Sequence, residues 1–459
     1  MPARLADALL VLGIALVLVV PLGRRIVARR FDPFEPFFLF VVAYGVMFVV
    51  RPAAMIAEDR LVFYGPSGTF DVSAGFTEML VLALLGAVAF STAYALPLAR
   101  RPASRPEDER AADDRRLVTA SLLLAALGIV AFGAFLVAAD GLRTLTAILG
   151  SERSALAGSV ETYRYLWLAF FVLVPAAAVL LGLGLGRRRK ALVACSMVLA
   201  ALVLLRVIPL GNRIVLLPLV GSLVVVYYLE RRSRPSARSL AVFAAVALLS
   251  SAFISDLRGR ETRDEGVGDT VARSLKPSRL GQPFTTGPDS EMAPALAAAL
   301  SVIPERLPRQ YGAAIFEDLV VRPIPRQLWS GKPLPPREEL LSTLWPVEYA
   351  RGAINSEFSV LLYFYWDFGL IGVVLGLAAY GAGARYLYEY YRAREDDLSA
   401  RVLYALALWF LVIALRDSPV DTLILASFVV LPGWLIFRLA RVPARSSSEP
   451  LSTEARSSA

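Results

Sequence analysis

Eleven apolar runs, separated by short polar stretches and one long one, set the limits on what this chain can fold into. They cover residues 5–22, 37–50, 76–98, 117–138, 165–185, 191–207, 214–229, 240–254, 358–380, 402–415 and 420–437. Most approach the ~20 residues that an α-helix needs to cross a bilayer's hydrocarbon core. Lipid offers backbone groups no outside partner, so each crossing run is expected to be a helix. The composition agrees. The chain is 57% apolar and 19% charged, with a mean hydropathy of +0.59. Soluble domains are nearer half apolar and about a quarter charged. The expected fold class is therefore all-α, a polytopic transmembrane helical bundle of about eleven spans. Runs two and ten are the short ones, and either can be broken or partly re-entrant.

Lysine and arginine orient these runs. The stretches after runs one, three, five, seven, nine and eleven carry 26 of the 48 basic residues, among them 187–190 and Arg231, Arg232, Arg234 and Arg238. The alternate short stretches carry few. One arrangement satisfies the positive-inside rule at every short loop: N-terminus outside, eleven spans, C-terminus cytoplasmic. Run one sits where a signal peptide would. No small-residue cleavage site follows it, while Arg24, Arg25, Arg29 and Arg30 do, so a retained anchor is expected.

This arrangement divides the chain into a membrane bundle over 1–254 with about eight helices, a long extracytoplasmic loop over 255–353, about three further spans over 354–441, and a Ser-rich, disordered cytoplasmic tail over 442–459. Residues 100–116 are mixed in charge and form a solvated cytoplasmic linker. The long loop holds thirteen basic and thirteen acidic residues between 255 and 351. Loops longer than about 60 residues escape the charge rule, so its basic residues do not contradict an outer placement. Within it, 292–303 and 310–321 have helical content and are expected to lie on the membrane surface or cap the bundle. The prolines of 323–336 stiffen that segment into an extended strap.

What is missing narrows the chemistry. The single cysteine, Cys195, lies in an apolar run, which excludes an internal disulfide framework and a thiol metal cluster. There is no histidine, so histidine acid/base catalysis, Ser-His triads and histidine-ligated metals are excluded. No GxGxxG fingerprint, Walker A sequence, metal-site spacing or fixed-period repeat occurs. The net charge of +9 is carried by arginines at the ends of apolar runs, where membrane topology accounts for it, so no nucleic-acid partner is expected.

The candidate site residues face the outer side. Arg213 follows the turn Pro209-Leu210-Gly211-Asn212, with Arg206 about two turns earlier inside run six. Arg258 and Arg260 leave run eight in SDLRGR. Arg416 ends run ten beside Asp417 and near Asp421, and Arg326 and Lys332 sit in PIPRQLWSGKPLPP. Guanidinium groups present a planar fork of donors that matches phosphate or carboxylate, so an outward set of arginines beside lipid suits a diphosphate headgroup. Taken singly, each is as readily an interfacial snorkel or a local ion pair. Glu357 opens run nine and can accept a proton from a sugar hydroxyl, or simply sit favourably at a helix N-terminus. Asp367 lies inside the same run and is expected to pair with a neighbouring span or mark the inner boundary. Tyr363, Phe364, Tyr365, Trp366 and Phe368 are expected to pack within the bundle or at its interface.

Four of these stretches together resemble a known family. RPIPRQLWSGKP is similar to the iPR-x-lwp-x-KP stretch in the long external loop of Wzy-type oligosaccharide repeat-unit polymerases. GNRIVLLPLV resembles that family's Gly-x-Arg start of a span before the loop, ISDLRGR its arginine at the start of the loop, and NSEFSVLLYFYWDFGLIGVVLGL its span after the loop. The resemblance runs from about 205 to 376 and departs from the family pattern at Ser330-Gly331, where a proline and a polar residue are common. It implies a polymerase at the outer face of the bacterial inner membrane. Such an enzyme transfers a growing glycan from undecaprenyl diphosphate to a new lipid-linked unit, with inversion and with no metal or nucleotide cofactor. Its partners would be undecaprenyl-diphosphate-linked oligosaccharide and membrane lipids, with room for a chain-length regulator and a flippase. By the same resemblance Arg213, Arg258, Arg326 and Lys332 would contact the diphosphate, Arg258 would also be catalytic, and Glu357 would be a base or an organiser of the loop. Arg416 joins the set by its place at a short outer turn. Two alternatives stay open: an O-antigen ligase-type transferase, disfavoured by the absent histidine, and a transporter or flippase of lipid-linked sugars, disfavoured by the lack of internal repeats.

Overall fold

Each apolar run folds as a helix through its described core. The computed structural model describes residues 2–65, 68–97, 113–149, 160, 162–208, 216–258, 267–276, 291–324, 328–329, 331–350 and 356–441. Among these, nine helices are long and apolar enough to cross a membrane: α1 (Arg4–Val27), α2 (Pro36–Ala57), α3 (Ser73–Ala95), α4 (Asp114–Ala138), α5 (Arg164–Gly186), α6 (Lys190–Val207) and, after the loop, three more. Two apolar helices are shorter in their apolar part, α7 (Leu217–Glu230) and α8 (Ala237–Arg258), whose apolar stretch is Ala237–Ser250. The chain is thus an all-α polytopic membrane protein, with one two-stranded exception among the described residues. Strands β1 (Val62–Gly65) and β2 (Gly68–Asp71) form an antiparallel hairpin between α2 and α3.

Contacts at the helix ends sort the molecule into two faces. At one, Arg25 and Tyr94 both meet Glu35, Arg234 pairs with Asp32, Arg187 with Asp114, and Arg401 with Glu230. These contacts join the stretches after runs one, three, five, seven and nine, the same ones that the basic residues single out in the sequence. At the other face Thr77 donates to Asp7, and Tyr365 to Glu78. The loop packs at this second face.

The loop does more than cover the bundle. Helix α9 (Met292–Leu300), expected to lie on the membrane surface or to cap the bundle, has all nine of its residues buried. Its sequence, MAPALAAAL, has no polar face to give to water or headgroups, so it cannot lie flat at an interface and must be enclosed. It packs on the start of α3, where a Cβ on Gly75 would collide with the Ala297 carbonyl. Helix α10 (Pro336–Leu344) follows the proline strap and lies over the hairpin, with Trp345 stacked on Phe63 at 4.6 Å.

Neither of the short runs two and ten, which could have been broken or partly re-entrant, is interrupted among the described residues. Helix α2 is continuous through a π-helical stretch at Val46–Val50, and α12 (Leu398–Arg416) is unbroken. It is α11 (Val360–Arg392) that breaks, at Gly369 with φ 63° and ψ −150°, a conformation almost closed to side chains. The freed carbonyls are taken by the loop. Arg309 Nη1 donates to the Tyr365 carbonyl at 2.7 Å, and the Gln310 amide donates to the Trp366 carbonyl at 3.1 Å. Trp366 Nε1 returns a bond to the Pro308 carbonyl at 2.9 Å. Asp367, expected to pair with a neighbouring span or to mark the inner boundary, accepts the Ala314 amide of the loop at 3.0 Å. It thereby caps the short helical stretch Ala313–Glu317 from outside, where a carboxylate meets unpaired N–H groups. Tyr363 and Trp366 are fully enclosed, as expected of packing aromatics.

Candidate functional site: a charge cluster at the loop face

Helix α13 (Pro419–Ala440) begins with Ser418 as its N-cap, whose hydroxyl oxygen accepts the Asp421 amide at 3.0 Å. This fixes Asp421 in the first turn, where the helix dipole favours a negative charge. Its carboxylate then binds two arginines from distant parts of the chain. Arg164, at the start of α5, reaches Oδ1 at 2.6 Å. Arg322, just after the short loop helix Asp318–Val321, reaches Oδ2 at 3.1 Å and also lies 3.3 Å from Asp318. Arg322 is only 9% exposed, so these contacts act in a weakly screened setting.

A second group sits where α10, α11 and α12 meet. Arg337 Nε lies 3.1 Å from Glu357 Oε2 and also donates to the Ser356 carbonyl at 3.1 Å. Asp417 occupies the extended turn between α12 and α13, with Arg416 Nε 3.7 Å from its Oδ1. Burial, then the neighbouring Glu357 carboxylate, pushes the Asp417 carboxyl up to about 7, against the pull of Arg416 and Arg337. Burial likewise raises Asp318 above the usual carboxylate range, with Arg322 opposing it.

The sequence candidates distribute unevenly over this arrangement. Glu357, Arg416 and Lys332 come to the cluster. Lys332 turns its ammonium to the carbonyls of Arg322 and Ile324, at 3.0 and 2.8 Å, which ties the strap to Arg322. Arg213 and Arg326 lie outside the described residues, and so does the side chain of Arg258, whose backbone ends α8. Sequence reasoning passed over Arg164 and Arg337 as site residues, and noted Asp417 and Asp421 only as neighbours of Arg416. Arg164 did leave a signal: it opens an apolar run on the side where the charge rule leaves few basic residues. Arg206 is separate. It is 4% exposed, its guanidinium carbon lies 3.7 Å from the Trp167 ring centroid, and it donates to the Trp167 carbonyl at 2.8 Å. Aromatic faces thus take the place of a counter-ion.

The cluster sets five cations, Arg164, Arg322, Lys332, Arg337 and Arg416, against four carboxylates, Asp318, Glu357, Asp417 and Asp421. Beside it opens a cleft of about 100 Å³ between Asp318, Arg322, Lys332 and Glu339. A far larger hollow of about 990 Å³ lies at the opposite, basic face. Several charges in its walls are paired, as Arg187 with Asp114, Arg401 with Glu230 and Arg392 with Glu395. Volume alone therefore does not mark the site. At the loop face several buried polar atoms have no hydrogen-bond partner among the described residues: Arg416 Nε, Arg322 Nε, the Tyr363 hydroxyl and Asp417 Oδ1. Such groups are costly to leave unmet, and they suit a polyanion or a hydroxyl placed among them. Among the described residues no group of three or more potential ligands is arranged to hold a metal ion. No family model, no curated protein and no solved structure matches the chain.

Proposed function

We propose that the protein is a glycosyltransferase that polymerises oligosaccharide repeat units carried on undecaprenyl diphosphate, acting at the outer face of the bacterial inner membrane. In this reading the N-terminus and the long loop face outward and the C-terminus is cytoplasmic, which the basic residues gathered at the opposite face support. The reading rests chiefly on the convergence of five cations from α5, the loop, α10 and α12 at the loop face of an apolar bundle. A transfer from a lipid diphosphate needs that arrangement. The bond between the sugar's anomeric carbon and the diphosphate oxygen breaks, and the electron pair stays on the diphosphate. Fixed cations stabilise that developing charge without any proton donor. The acceptor hydroxyl attacks from the opposite side, so the configuration inverts, and much of the rate comes from holding donor and acceptor in line. Arg258 and Arg326, which the motifs place in the loop, are expected to join the same anion site.

Deleting the gene tests this directly. Single lipid-linked repeats should accumulate at the expense of polymer, and the wild-type gene should restore a long glycan ladder. Arg258→Ala and Arg326→Ala proteins should reach the membrane yet fail to restore it. Normal ladders from both variants would refute the reading.

A further inference from the structure

The four carboxylates of the cluster are not equivalent. Asp421 is committed to two arginines and to the Ser418 hydroxyl. Glu357 is committed to Arg337, and Asp318 to Arg322. Asp417 is the most loosely held of the four among the described residues: its nearest cation is Arg416 at 3.7 Å, against 3.3 Å or less for the others, and its Oδ1, like Asp318 Oδ2, accepts no hydrogen bond there. Its side chain nevertheless retains 16% of its surface, so a bound molecule can reach it. A carboxylate already held by an arginine is a poor base, because taking a proton would break the ion pair. A carboxylate that is loosely held and crowded by another negative charge is a good one.

We infer that Asp417 is the proton acceptor of the transfer, removing the proton from the attacking hydroxyl of the acceptor sugar. This rests on the polymerase reading above. The balance is simple. The hydroxyl oxygen forms the new bond to the anomeric carbon, its proton passes to an Asp417 carboxylate oxygen, and the diphosphate departs with the electron pair of the old bond. Arg416, on the adjoining residue, is placed to hold the departing diphosphate. Glu357 acts through Asp417 as a positioning residue: its fixed negative charge keeps the Asp417 carboxylate basic. The groups facing Asp417 are Arg337 of α10, Glu357 and Tyr363 at the start of α11, Arg416 of α12 and Asp421 of α13. Burial and the Glu357 carboxylate raise the Asp417 carboxyl to about 7, where a base is most useful.

The test uses full-length protein in detergent or vesicles, with lipid-linked repeat units extracted from the deletion strain as probe. Wild-type rates should rise with pH and level off above an inflection near neutrality. Asp417→Asn should lower the rate by about a hundredfold or more, as loss of a general base does, and should abolish the inflection while the lipid-linked units still bind. Asp417→Glu should recover part of the rate with a displaced inflection. A rate within about fivefold of wild type with the inflection kept would overturn the inference, and so would loss of binding in step with rate. Should Asp417→Asn not accumulate, Asp417→Glu decides alone: an inflection identical to wild type overturns the proposal. Wild-type protein that makes no polymer from these units would refute the polymerase reading itself, a distinguishable failure.

Discussion

Gly369→Ala should destabilise the protein through two separable effects, both visible at the break in α11. The backbone there, φ 63° and ψ −150°, is open to glycine and strained for any side chain, at a cost of about 1–3 kcal/mol. The new methyl would also lie 3.1 Å from Arg309 Nη1 and 3.3 Å from its Cζ. Arg309 must then shift, weakening the 2.7 Å bond to the Tyr365 carbonyl. A hydrogen bond from a charged donor is worth about 1.5–3 kcal/mol, and only part of it need be lost. The sum is about 2–5 kcal/mol, or roughly 4–10 °C in the unfolding midpoint at ~2 °C per kcal/mol for a large chain. Thermal unfolding of detergent-purified protein reads the first effect. Trypsin cleavage after Arg309 reads the second, because a segment released from α11 is cut faster. Arg309→Ala alone should cost the bond without the strain. In the double variant the bond is lost only once, so its destabilisation should be smaller than the sum of the two single effects. An unchanged midpoint in Gly369→Ala, or strict additivity in the cycle, would show that the break does not anchor the loop.

Two further outcomes concern the charged groups. Asp421→Asn removes the partner of Arg164 and one of the two carboxylates beside the nearly buried Arg322 and should cost several kcal/mol, whereas Arg232→Gln, at a pair whose side chains are 77% and 79% exposed, should cost about 1 kcal/mol or less; thermal midpoints that reverse this order would contradict the assigned burial. Asp417 binds its proton more tightly folded than unfolded, so its contribution to stability is present below about pH 4 and is lost as pH rises to about 7; the fall in midpoint between pH 4 and 8 should therefore be smaller in Asp417→Asn than in wild type, and an equal fall would count against a raised carboxyl.

Much of the bundle was legible because its signals are local. Twenty apolar residues in a row specify a helix whatever lies beside them, and arginines at alternate ends sort those helices into two faces. The break at Gly369 was not legible, since a glycine in an apolar run is tolerated in a straight helix as well as in a bent one. The burial of α9 was open to inspection in MAPALAAAL, which lacks any polar face, but its place in a polar loop left both a surface helix and a cap on the bundle open. The site was only half legible. Glu357, Arg416 and Lys332 stand out by position, while Arg164, Arg322 and Arg337 become neighbours only after chain separations that no spacing rule encodes. Asp417 looked like an ordinary turn residue, and it is the surrounding charges, from α10 and α11, that distinguish it.

The broken span also bears on which class of membrane protein this is. In secondary transporters a discontinuous helix leaves its half-helix ends and unwound carbonyls facing a cavity, where they bind the cargo. Here the carbonyls of Tyr365 and Trp366 are occupied by the chain's own Arg309 and Gln310, and Asp367 caps a loop helix. The break therefore holds the loop in place, and these two carbonyls are spent on the chain itself. That same loop carries Asp318 and Arg322 to Asp421, and through α10 it carries Arg337 to Glu357. The loop is thus fixed on both sides of the cluster, by backbone bonds to α11 and by ion pairs to α13 and the start of α11. Catalysis by fixed charges requires that the cations be immobile before the substrate arrives, because reorganising them during reaction would forfeit the gain. A transporter needs the opposite, a site whose two sides can separate in turn. On the proposed reading, the double attachment supplies the rigid site that a transferase needs, where an alternating gate would need a movable one.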